Sequence, residues 1–126
     1  MANRTFLSPI QTLQCNPVRL YCKFLVVNDG ACTLASSPYN EGITSATFSG
    51  TGVLTIVLQD AYAGLAGVSA ITDFNGAADY THIAVNAATN VLAKSVVLGV
   101  YDYDSTKAPT NNNNMYITLD LLNYSA

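Results

Sequence analysis

The chain has no tryptophan, one histidine, one glutamate and few charges of either sign: 10% of its 126 residues are charged, against 50% hydrophobic. An ordinary globular domain carries about 25% charged residues. Each shortage excludes something. With only Arg4, Arg19, Lys23, Lys94 and Lys107 as cations, a net charge of -3 and a pI near 4.6, the chain has little with which to neutralise phosphates, so nucleic acid is not an expected partner. The longest apolar runs, Phe24 to Val27 and, counting Gly99, Val96 to Val100, fall far short of the roughly 20 residues of a spanning helix, so no membrane partner is expected either. The first residues lack the apolar stretch that a secretory signal requires. Cys15, Cys22 and Cys32 are an odd number of cysteines at spacings that match no zinc or redox pattern, and read as small buried thiols. Disorder is excluded by the hydrophobic content. Apolar residues in such excess, with neither a membrane nor a charged shell to account for them, suit burial between subunits.

Catalysis is short of parts as well. A general acid or base must converge with other polar groups. His82 lies in an alternating segment beside Thr81 and Ile83, with no nucleophile motif to serve, and reads as a structural or surface residue. Asp102 and Asp104 share one side of an extended chain but lack the further oxygens that calcium wants. Glu41 is the sole glutamate, and no tryptophan is present for sugar stacking, which argues against glycosidase work. The glycines of Ser49-Gly50-Thr51-Gly52-Val53 precede a strand and no lysine, so they form a turn and not a phosphate cradle. The chain is expected to be no enzyme and to need no metal or cofactor.

What is abundant is strand signal. Val18 to Asn28 alternates, with Val18, Leu20, Cys22, Phe24 and Val26 on one face and Arg19, Tyr21, Lys23 and Leu25 on the other. Asn28-Asp29-Gly30 suits a tight reversal into Ala31 to Leu34. A polar loop, Ser36 to Gly42, leads to two strands split by Gly50 and Gly52. In the second of these, Leu54, Ile56 and Leu58 alternate with Val53, Thr55, Val57 and Gln59, and apolar side chains on both faces predict a strand covered on two sides. Gln59 to Leu65 reads as a connector, Gly67 to Thr72 as the next strand, and Asn75-Gly76 as a turn. Tyr80 to Val85, Ser95 to Tyr103 and Met115 to Asn123 complete the series, with Asn111 to Asn114 as a solvated loop. Seven or eight short strands with turns between them predict an all-β chain, a single antiparallel β-sandwich or jelly-roll-like domain over residues 18–126. Residues 1–17, with Pro9 and Pro17 and no period, predict an extended N-terminal arm.

Eight tyrosines stand where tryptophan is missing, and tyrosine, with its apolar body and polar tip, is enriched where protein meets protein. Tyr62, Tyr101, Tyr103 and Tyr116 are the candidate interface aromatics, and Phe6, Leu7, Pro9, Ile10 and Leu13 the candidate contacts of the arm with a partner or a neighbouring copy.

The run FSGTGVLTIVLQDAYAGLAGVSA, Phe48 to Ala70, followed by VVLGVYDYDSTKAPTNNNNMYITLDLLNYS, Val96 to Ser125, resembles the small head decoration, or cement, proteins of tailed bacteriophages. Gly50, Thr51, Gly52, Asp60, Tyr62, Asn123 and Ser125 carry the likeness, which spans roughly residues 18–125. The Asn-rich loop and the three cysteines fall outside it. The resemblance implies a jelly-roll-like fold, homo-trimers bound to the major capsid protein across capsomer joints, a place on the outer surface of the virion capsid after synthesis in the host cytoplasm, and no catalysis. The alternative reading is a receptor- or glycan-binding head domain of a phage tail or head fibre.

Overall fold

A computed structural model describes residues 17–27, 29–49, 52–72, 82–102, 105–106 and 114–122. Their backbone forms ten strands: β1 (Pro17–Leu25), β2 (Gly30–Ala31), β3 (Thr33–Leu34), β4 (Ile43–Phe48), β5 (Val53–Leu58), β6 (Gly64–Thr72), β7 (His82–Val85), β8 (Ser95–Asp102), β9 (Ser105–Thr106) and β10 (Asn114–Leu122). One sheet runs β3-β1-β10-β6 and the other β2-β4-β5-β8-β7, with β9 paired to β8. All the pairings are antiparallel, and the two sheets form a β-sandwich, the all-β class that alternation predicts.

The core follows directly from strand periodicity. In β10, Met115, Ile117, Leu119 and Leu121 are buried while their neighbours along the strand are half-exposed. In β5, Leu54, Ile56 and Leu58 do the same from the opposite sheet. Cys22 and Phe24 of β1 join them, and the Phe24 and Phe48 rings meet edge to face across the sandwich, 6.5 Å apart. No polar or charged residue is buried among the described residues. Burial of this apolar set is therefore the main force holding the sheets together.

Several expectations need correction. Val53, Thr55 and Val57, expected beneath a second cover, are only half-buried, so β5 is fully covered on one face alone. The reversal after β1 is no tight hairpin. Leu25 pairs with Thr33, and the intervening segment sends Gly30 and Ala31 to the other sheet, where they pair with Phe48 and Thr47. β6 begins at Gly64, inside the expected connector, and Asn114, expected in the loop, opens β10 opposite Leu25. Pro17, assigned to the arm, opens β1 opposite Leu122. The β4–β5 turn is as expected: Gly52, at φ +87°, adopts a conformation that costs a residue with a side chain, and its N–H donates to the Ser49 carbonyl. Residues 1–16, the rest of the expected arm, and Asn111 to Asn113 of the expected loop lie outside the described residues.

Candidate functional site

The two faces of β1 have different fates. Val18, Leu20, Cys22 and Phe24 turn into the sandwich, so Arg19, Tyr21, Lys23 and Leu25 turn outward on the four-stranded sheet. Register then assembles a surface from three strands. Lys23 stands opposite Tyr116, which stands opposite Ile71, and in the next row Tyr21 stands opposite Thr118 and Ser69. Tyr39, from the loop after β3, lies against the same face: the Lys23 ammonium is 4.9 Å from the centre of the Tyr39 ring and 5.4 Å from that of Tyr116.

This face is apolar for an exposed surface. Ile71 is 67% exposed, Tyr21 55%, Tyr39 38% and Leu25 37%. Its charges are few and partly spent on one another. In the row beyond Tyr21, Arg19 Nε donates to Asp120 Oδ1 at 2.7 Å, and the guanidinium is held more firmly protonated first by that bond and then by one to Tyr21. Lys23 is then the one unmatched cation of the described face, lodged between two rings.

The backbone that carries these residues is braced by Asn40. At φ +64°, its side-chain amide donates to the carbonyls of Lys23 and Ala35, each at 2.8 Å, while its Oδ1 accepts from the Lys23 N–H. Its own N–H donates to the Tyr21 carbonyl. The edge of β1 beneath Tyr21 and Lys23 is thus closed by the side chain and backbone of Asn40, with the Ala35 N–H donating to the Lys23 carbonyl as well.

Of the residues singled out in the sequence, Tyr116 belongs to this face. Tyr62 does not present itself to a partner: it is 7% exposed and packs into the core, and burial, then the charge of Asp60, push its hydroxyl pKa up. An aromatic in a connector gives no period from which its burial can be read. Tyr101 lies half-buried on the other sheet, close enough to Gly99 that a Cβ there would meet its ring at 3.0 Å. Tyr103, Phe6, Leu7, Pro9, Ile10 and Leu13 lie outside the described residues. Tyr21, Tyr39 and Ile71 were not singled out, although the outward phase of β1 already placed Tyr21 beside Arg19 and Lys23.

Among the described residues no group of three histidine, cysteine or acidic side chains stands close enough to hold a metal ion. The described cysteines are structural: Cys22 and Cys32 are unpaired and buried, and burial pushes the Cys22 thiol up to about 12. No family model, no curated protein and no solved structure matches the chain.

Proposed function

We propose that the chain is a virion structural protein, a decoration or cement protein that binds the outside of a phage head across joints between capsid subunits and holds the shell together. The observation that carries this reading is the outer face of the four-stranded sheet, where Tyr21, Tyr39, Leu25 and Ile71 are exposed around a single lysine. Such a face gains by contact with a protein surface of apolar character that offers an acceptor to the Lys23 ammonium. The likeness of Phe48 to Ala70 and Val96 to Ser125 to phage cement proteins supplies the partner, the major capsid protein. The mechanism is burial: at roughly 25 cal/mol per Å² of apolar area, modest contacts repeated over many copies on one shell sum to a large stabilisation. The arm, through Phe6, Leu7, Pro9, Ile10 and Leu13, is a second point of attachment.

The receptor- or glycan-binding alternative would use the same tyrosines against a sugar or a host protein. Incubating the purified chain with phage heads stripped of their decoration, and separately with host cells and a glycan array, tests the two together. Saturable binding to heads alone is expected. Binding to cells or glycans without binding to heads would overturn the decoration reading.

A further inference from the structure

The two sheets end in four edge strands of unequal length: β3 and β2 have two residues each, β7 four, and β6 nine. An uncovered edge strand is a row of unpaired N–H and C=O groups, and proteins ordinarily blunt it with charge, proline or brevity. β6 has neither charge, proline nor brevity; a bulge at Ala66, near its start, interrupts the ladder there and leaves Gly67 to Thr72 as its regular edge. Its sequence, GLAGVSAIT, contains no charge and no proline, and among the described residues nothing pairs with its far side.

Which of its groups face outward follows from β1. Tyr21 and Lys23 turn their backbone groups away from β10, toward Asn40 and Ala35. In an antiparallel ladder successive residues turn to opposite sides. Cys22 therefore bonds Ile117, while Tyr116 and Thr118 turn the other way to bond Ile71 and Ser69. In β6, Val68 and Ala70 are left with N–H and C=O aimed out of the sheet, and their side chains, opposite the buried Leu119 and Ile117, are only partly covered.

We infer that β6 pairs antiparallel with β6 of a second copy, joining the two four-stranded sheets across a twofold axis. Length selects the occupant: the six-residue regular edge from Gly67 to Thr72 is filled by a strand of its own extent, and the other edge strands among the described residues have two to four residues. Charge permits it, since two copies that each carry -3 meet along a segment with no charge at all. The pairing is isologous, so each copy satisfies the β6 edge of the other and the contact closes on itself. Val68 and Ala70 gain cover that the described residues give them only in part, and Ile71 is drawn toward the seam. The copies then associate in even numbers, in place of the trimer that the resemblance implies. This inference stands whether or not the partner is a capsid.

The test is native mass spectrometry of the full chain over a range of concentrations, with two variants. Ala70→Pro removes an outward N–H without touching the ladder to β10, and proline is tolerated on a strand edge that faces solvent. Ser69→Lys sets like charges near the axis. The wild type is expected at twice 13.3 kDa, with both variants at 13.3 kDa and an unchanged β-type circular dichroism spectrum. In the wild type the Val68 and Ala70 amides are expected to exchange more slowly as concentration rises. A wild type that stays monomeric, a wild type that is trimeric, or a dimer that survives in a folded variant would each overturn the inference.

Discussion

The side chain of Asn40 grips the backbone of Lys23 at both ends, accepting from its N–H at 3.1 Å and donating to its carbonyl at 2.8 Å. A loop residue thereby acts as a missing strand partner, and it holds the aromatic face in place by fixing the strand that carries Tyr21 and Lys23. Asn40→Ala removes these bonds and leaves a β-carbon in a left-handed backbone without the local compensation that asparagine offers. A loss of roughly 2–4 kcal/mol is expected in urea unfolding. Asn40→Gly relieves the backbone but not the lost bonds, and should fall between the wild type and alanine.

Phe24 and Phe48 bind the two sheets from opposite sides of the core, both fully buried, with ring planes at 62°. Either alanine substitution should cost about 3–5 kcal/mol. A double-mutant cycle should return a coupling of about 0.5–1.5 kcal/mol beyond lost area, the size expected of an edge-to-face pair. Additive losses would mean that the rings contribute by volume alone.

Cys22 faces the core, and burial raises its thiol from 9.0 to about 12. The unfolded chain gives up this proton near pH 9 while the folded chain keeps it, so the unfolded state binds fewer protons and stability falls as pH rises. The contribution is complete below pH 9 and is lost between pH 9 and 12, at up to about 1.4 kcal/mol per pH unit. Urea midpoints measured from pH 8 to 11 should fall less steeply in Cys22→Ala than in the wild type. In a Cys15→Ser background, a thiol reagent at pH 8 should react with neither remaining cysteine until the chain unfolds.

Much of the fold was legible because alternation reports burial directly. Leu54, Ile56 and Leu58, and likewise Met115 through Leu121, sit where a period of two places them. The two-residue strands β2, β3 and β9 were not legible, since a pair of residues carries no period and is defined by what the chain meets elsewhere. The aromatic outer face was half legible. The outward phase of β1 named Tyr21 and Lys23 as neighbours, but Tyr39 reaches them only through a turn held by Asn40, a tertiary contact that no local pattern encodes. Tyr62 shows the converse, an aromatic that composition offers as interface and the core absorbs. The register that sets Ile71 in line with Tyr116 and Lys23 likewise depends on which strands pair, and alternation leaves that open.

The central claim is that the outer face of the four-stranded sheet is the surface that binds a shell. It is tested most directly by co-sedimenting stripped phage heads with the wild type and with a Tyr21→Ser, Tyr39→Ser variant. Neither side chain belongs to the core, so the variant should keep the β spectrum of the wild type and lose only the thermal stability of the Lys23 and Arg19 contacts. Saturable binding by the wild type, weakened at least about tenfold in the variant, is expected, in keeping with interface tyrosines that each contribute more than 1 kcal/mol. Equal binding by a folded variant, or none by the wild type, would contradict the claim.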